Sequence, residues 1–130
     1  DREVLLVNEL NSVLKVAVEA TDMYEMLCNL LENGYKWAKS QIRVYSEPVS
    51  DTQVALVVED NGPGIPDEKK DLVMKRGVRL DEETPGSGLG LNIVQEMAHS
   101  YRGQLILEDS DSGGTKAKLI INLCTNQKKR

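Results

Sequence analysis

The sequence predicts an α/β (α+β) two-layer sandwich, a mixed sheet with helices packed on one face. Three observations predict it. Short β-branched runs are interspersed with longer segments of helical periodicity along the 130 residues. One run, Val54-Ala55-Leu56-Val57-Val58, is continuously apolar, as in a central strand covered on both faces. The last run alternates Ala117, Leu119, Ile121 and Leu123 against Lys116, Lys118 and Asn122, as in a strand with one polar face. No repeat and no boundary divides the chain, so residues 1–130 are expected to form one domain with its own core.

Taken in order, Val4–Val7 and Leu14–Val18 predict two strands joined by a polar turn. Asp22 is the expected N-cap of a helix, with Glu25 three residues on in a capping box. Met23, Met26, Leu27, Leu30, Leu31 and Ala38 follow helical spacing and form its core stripe. Gly34 within it costs about 1 kcal/mol against Ala and points to close approach of another element or to drift. Ile42–Tyr45 and Gln53–Glu59 are the next strands, followed by a turn and a short helix near Asp67–Val73. Residues 74–87 combine Gly, Pro and charges without periodicity, the composition of a mobile loop of functional length. Gly88–Arg102 is a helix ended by Gly103 as C-terminal cap. Gln104–Glu108 and Lys116–Leu123 close the chain as a hairpin around Asp111-Ser112-Gly113-Gly114.

Composition narrows the functional classes. Aromatics make up 4% and Phe is absent, so Leu, Val, Ile and Met must fill the interior. The formal charge of −5 argues against general nucleic-acid binding, and the run Lys128-Lys129-Arg130 reads as a solvated tail. Cys28 and Cys124 have no metal-type spacing and sit among apolar residues, as small buried hydrophobes in a reduced, cytosolic setting. No signal peptide and no bilayer-length apolar run is present, and the opening directly on a strand suggests a fragment of something larger.

Three segments in fixed order carry the chemistry. Asn29, Asn33 and Lys36 are spaced i, i+4, i+7, which makes a polar stripe beside the apolar one. Amide oxygens are hard ligands suited to Mg²⁺, and Lys36 offers a point charge for phosphate. A solvated helix face explains the stripe as well. Asp60 opens Asp60-Asn61-Gly62-Pro63-Gly64-Ile65-Pro66, where a carboxylate at a strand end could accept from an amino group such as that of adenine. Gly62 and Gly64 allow a ligand to lie against the main chain there. A plain turn accounts for the glycines but not for the position of Asp60 after a buried strand. Gly86-Ser87-Gly88-Leu89-Gly90-Leu91 leads into a helix, whose free N–H groups favour anions. It is neither a Walker loop nor a dinucleotide fingerprint, and a flexible linker is its plain alternative. His99, the one histidine, reads as a packing or surface residue rather than a phosphoacceptor or base.

Together these residues resemble the catalytic, ATP-binding domain of sensor histidine kinases, in the superfamily that also holds gyrase B, the heat-shock chaperone ATPase and MutL. The resemblance covers nearly the whole chain. Asn29–Trp37 is similar to the family's N box, Asp60–Gly64 to its first glycine box and Gly86–Leu91 to its second. Gly113-Gly114-Thr115 is similar to its final Gly-Thr element. The resemblance implies a Bergerat-type fold, a mixed five-stranded sheet backed by three helices, with ATP and Mg²⁺ held under a lid. It implies that Asn33 holds the metal with help from Asn29, and that Lys36 contacts phosphate. Asp60 then takes the adenine amino group, Gly62 and Gly64 bring backbone to the base, and Ile65 and Leu91 wall it. Thr115 supports the adenine end. Gly86, Ser87, Gly88, Leu89 and Gly90 then face the phosphates. Trp37 stands beside the nucleotide or anchors the helix end, with equal weight.

Residues 74–87 would be the lid, and Arg76-Gly77-Val78-Arg79-Leu80-Asp81 before Pro85-Gly86 most resembles the PhoQ-like subgroup. Arg79 would reach the phosphates. Met74 stands where many members carry Phe, and Thr84 where PhoQ carries a second Arg, which shifts phosphate contact towards Arg79 and Lys36. Hydrolase branches carry Glu where this chain has Asn29, so the resemblance implies phosphoryl transfer rather than hydrolysis. It also implies an acceptor histidine on a dimerisation helix that this chain lacks, a response regulator downstream, and no nucleic-acid or direct membrane partner. The domain is expected to be monomeric and cytoplasmic, as the cytosolic part of a membrane-bound sensor. The alternatives are a nucleotide-binding or pseudo-kinase regulatory module, an ATPase-gated conformational module and an anti-sigma serine kinase.

Overall fold

The computed structural model describes residues 3–10, 14–73 and 90–124, with the side chains of 71–73 excepted. Five strands form one sheet in the order β1-β2-β3-β5-β4. They are β1 (Leu5–Glu9), β2 (Gln41–Pro48), β3 (Gln53–Asp60), β4 (Gln104–Asp109) and β5 (Thr115–Asn122). β1 runs parallel to β2, and the other pairs are antiparallel. The described helices are α1 (Ala20–Trp37), α2 (Asp67–Val73) and α3 (Gly90–Ser100). The mixed sheet and three helices agree with the predicted class.

Strand register sorts the side chains into two layers. Val44 lies opposite Val58, Leu56 opposite Leu119, and Leu105 opposite Leu119 from the other side. These residues belong to one core cluster with Met26 and Leu30 of α1 and Leu91, Val94 and Ala98 of α3. Gly34 is buried where α1 packs on the sheet. A methyl there would meet Ile42 Cδ1 at 3.4 Å and Val58 Cγ1 at 3.5 Å. The opposite face carries a charged lattice: Arg43 pairs with Glu9 at 2.8 Å and Lys118 with Glu108 at 3.0 Å. Val57 is nevertheless fully buried, because Tyr45 and Lys118 flank it in register and their long side chains can lie along it. The continuous apolar run of β3 is thus explained without a second layer of helices.

Several expectations need correction. Leu14–Val18 is not a strand but makes a single antiparallel bridge, Val16 to Leu123. β5 is already paired on both edges, and β4 reaches only to Ile120. Only the overhang beyond it is open, where Ala17 N–H donates to Asn122 O and Cys124 N–H to Lys15 O. Asp22 is not the N-cap. The cap lies three residues earlier, at Glu19, with no side-chain cap bond. Asp22 falls in the first turn, where the helix dipole favours its charge and Tyr101 donates to it. At the end of α3, Arg102 rather than Gly103 takes the left-handed conformation, at φ 65°. The bonds Gly103 N–H to Ala98 O and Arg102 N–H to His99 O complete a Schellman motif. Gly103 is required for space, since a Cβ there would lie 2.1 Å from Ile120 O. The expected start of α3 at Gly88 lies outside the described residues. Cys28 and Cys124 are half-buried rather than buried, and neither forms a disulfide.

Candidate functional site

The site is assembled where the end of α1, the loop after β3 and the β4–β5 turn meet. Asp60 is the last residue of β3 and is 5% exposed. Its carboxylate accepts the Gly62 N–H at 2.8 Å. Burial pushes its carboxyl pKa up, against the backbone hydrogen bonds from Gly62 and Thr115 that pull it down, with Glu59 adding to the rise. A buried acceptor at a strand end suits a neutral N–H donor of a ligand, which desolvates it without adding charge.

Glycines bring two pieces of backbone against this carboxylate, the loop after β3 and the β4–β5 turn. A Cβ on Gly62 would lie 2.0 Å from Trp37 O, so the loop after β3 passes directly beneath the end of α1. A Cβ on Gly114 would lie 2.1 Å from Asp60 O and 2.5 Å from its Oδ1. Gly64 has φ 82° and lies under Gly113 O. Thr115, 5% exposed, begins β5 beside them. The segments read separately in the sequence as Asp60–Gly64 and Gly113–Thr115 are therefore one cradle.

α1 supplies the polar stripe. Asn29, Asn33, Lys36 and Trp37 are all half-buried, and the Lys36 ammonium lies 5.1 Å from the Trp37 ring centroid. With a rise of about 1.5 Å per residue, Asn33 sits about 6 Å and Asn29 about 12 Å along the axis from Trp37. The stripe thus extends back along α1 from the Asp60 loop, and α1 packs against α3. Ile65 and Leu91, 6% and 4% exposed, belong to the core cluster that α1 and α3 close. Gly90 opens α3. Arg79, Gly86, Ser87, Gly88, Leu89 and the expected lid over 74–87 lie outside the described residues.

Three residues were missed from sequence. Asn61 read only as half of a turn-forming Asn-Gly pair, yet its Oδ1 accepts from the N–H groups of Lys39, Ser40 and Gln41 at 3.0, 3.0 and 3.1 Å. Lys70 clamps the loop by donating to Ile65 O at 2.8 Å, Asp67 at 2.7 Å and Asp109 at 2.9 Å. Its i, i+3 relation to Asp67 was legible, but its reach to β4 was not. Asn92, 3% exposed in the first turn of α3, has no hydrogen-bond partner for its Oδ1 among the described residues. Its place directly after Gly-Leu was the available signal. His99 is exposed, in line with a surface histidine. Behind Asp60, on the helix-free face, a cavity of about 360 Å³ is lined by Arg43, Tyr45, Glu59 and Lys116 among others. Its central carboxylate, Glu59, is already bonded by Tyr45 and Ser110.

Comparison with known proteins decides the family. The family model described as histidine kinase-, DNA gyrase B- and HSP90-like ATPase matches residues 18–125. The chain belongs to that family. It is 41% identical over 110 residues to the sensor protein kinase CarS of Pseudomonas aeruginosa, covering 85% of this chain and 24% of CarS. It is 38% identical over 121 residues to the two-component sensor PhoQ of the same organism, covering 88% of this chain and 25% of PhoQ. Among solved structures, the mycobacterial sensor histidine kinase MprB superposes with a TM-score of 0.82 at 26% identity, covering 92% of this chain and 84% of that one. The chain is thus a histidine-kinase-type catalytic domain of CarS- and PhoQ-like sequence, and it spans about a quarter of the length of those relatives. Among the described residues, no helix is long and apolar enough to cross a membrane.

Proposed function

We propose that this domain binds Mg²⁺-ATP and donates the γ-phosphoryl group to a histidine on the dimerisation helix of a two-component sensor kinase. The observation that carries the reading is Asp60, buried at the end of β3 and enclosed by backbone that only glycine permits. A carboxylate buried there with backbone donors on one side suits the exocyclic amino group of adenine. Gly62 and Gly64 admit the base, Ile65 and Leu91 wall it, and Thr115 supports that end, with Trp37 beside it or anchoring the helix. The second glycine segment, Gly86 to Gly90, faces the phosphates at the start of α3, where helix N–H groups favour anions.

The donor set fits a magnesium nucleotide. Asn33, with Asn29, supplies neutral hard oxygens and leaves the remaining positions to phosphate and water. Mg²⁺ so held would neutralise charge on the phosphates. Lys36 and Arg79 contribute further positive charge. Asn29 cannot take a proton from water as a carboxylate can, so hydrolysis is slow at most and transfer dominates. Transfer breaks the bond from the γ-phosphorus to the β–γ bridging oxygen, releasing ADP, and forms one to the unprotonated nitrogen of an imidazole, whose other ring nitrogen then gives up its N–H proton. The acceptor domain and a response regulator are the partners, the setting is cytoplasmic, and residues 74–87 form the lid of a single-domain unit that is monomeric alone. Calorimetric titration with a non-hydrolysable ATP analogue and Mg²⁺ tests the reading. Wild type should bind and Asp60→Ala should not; absence of binding to wild type would overturn it.

A further inference from the structure

We propose that Asn61 is a positioning residue that sets the placement of the metal and phosphate end of the site, on α1, relative to the adenine end, on β3; this rests on the nucleotide reading above. Every polar atom of its side chain is committed to the connection between the two elements. Oδ1 accepts three consecutive backbone N–H groups, those of Lys39, Ser40 and Gln41. Nδ2 donates to Ser40 Oγ at 2.9 Å, and the Asn61 backbone N–H donates to Gln41 O at 3.3 Å. The side chain therefore holds the joint and does not serve as a ligand.

Its place in the chain gives the joint leverage. Residues 38–40 are the whole link between α1 and β2, and α1 has already ended in a bond from Ala38 N–H to Gly34 O. The next three N–H groups have no helical partner and turn onto the one oxygen of Asn61. Asn61 itself follows Asp60 directly, and Gly62 then packs under Trp37 O while binding the Asp60 carboxylate. Three consecutive residues thus carry the buried carboxylate, hold the exit of α1 and pass under its last carbonyl. A nucleotide must reach from Asp60 to Asn33 and Lys36 at once, so slack in this joint costs the two-ended ligand far more than a ligand held at one end. Misplacement by about 1 Å is enough to cost a reaction on the order of a hundredfold in rate. An amide is the side chain that uses both halves here: its oxygen gathers the three donors and its nitrogen holds Ser40, without a second charge beside Asp60.

The test compares a two-ended ligand with a one-ended ligand. Affinities of the ATP analogue with Mg²⁺ and of adenosine alone are measured by titration for wild type, Asn61→Ala, Asn61→Gln and Asn61→Asp, with thermal melts to verify folding. In Asn61→Ala the analogue should weaken roughly tenfold or more, while adenosine stays within about twofold. Asn61→Asp keeps the acceptor oxygen but loses the donor to Ser40 and adds a charge beside Asp60, so it should restore only part of the analogue affinity. If Asn61→Ala does not fold, Asn61→Gln, whose amide is displaced by one methylene, should show the same divergence. Equal weakening of both ligands, or no change in either, in a folded variant overturns the inference and leaves the nucleotide reading standing. Failure of wild type to bind either ligand sinks both.

Discussion

Gly114 approaches Asp60 so closely that a methyl group on it would lie 2.1 Å from the Asp60 carbonyl oxygen and 2.5 Å from Oδ1. The two residues stand 54 apart in the chain but share one wall of the site. Both neighbours of that methyl belong to a buried residue fixed by β3, so neither can move aside cheaply. Gly114→Ala should therefore destabilise the fold by roughly 2 kcal/mol or more, as overpacking does, and weaken nucleotide binding as well. Urea unfolding together with titration measures both, and an unchanged midpoint would refute the close approach.

Asp60 itself should set function against stability. Its carboxyl pKa is raised by burial above the ordinary value of 3.8. A raised folded value means that the contribution to stability is present below the unfolded value and lost as pH rises through the folded one. At neutral pH the ionised group is thus a burden on the fold. Asp60→Asn should melt above wild type at neutral pH, with the gap closing as the medium is acidified, while nucleotide binding falls. A variant that melts lower at neutral pH would argue that the Gly62 and Thr115 bonds outweigh the burial.

Glu59, one residue earlier, points to the other face and behaves oppositely. Burial pushes its pKa up, but hydroxyl bonds from Ser110 and Tyr45, with Lys116 and Arg43 nearby, bring it below 4.5. Its contribution is present above the unfolded value and lost as pH falls through the lowered folded one. Ser110→Ala should cost about 1–2 kcal/mol at neutral pH and progressively less in acid. An equal cost at both ends of the pH range would show that the serine acts through packing alone.

Asn33→Ala should remove the part of ATP-analogue affinity that depends on Mg²⁺, roughly tenfold or more, and leave adenosine affinity within about twofold. Loss of both together would place Asn33 in the fold rather than at the metal.

The core predicts an ordinary cavity cost. Leu30 is 1% exposed and packs with Met26 in the cluster beneath α1. Leu30→Ala should cost about 3 kcal/mol by chemical denaturation. A loss under about 1 kcal/mol would mean that α1 can collapse onto the sheet.

Periodicity made the strands β2, β3 and β5, the helix α1 and its buried face legible, because side-chain spacing in each follows from the backbone repeat alone. It failed at Leu14–Val18, whose β-like composition could not show that β5 had only an overhang to offer. The capping-box signal at Asp22 also failed, since the helix begins behind Glu19 and Asp22 is instead engaged by Tyr101, 79 residues away. Asp60 stood out because it ends a strand built on five apolar residues and opens a glycine turn. Asn61 did not, because Asn before Gly is ordinary turn chemistry and its three donors lie 20 to 22 residues away.

The sequence by itself determined the class of fold, the order of its glycine and asparagine segments and the donor chemistry each could offer, all of which are local properties of residue type and spacing. Only the tertiary structure decided that Gly62 runs beneath Trp37, that Gly114 closes on Asp60 and that Asn61 ties α1 to β3. These are contacts between segments distant in the chain, and they arise because the sheet and α1 bury one shared core and bring the loops at that end within hydrogen-bonding reach of each other.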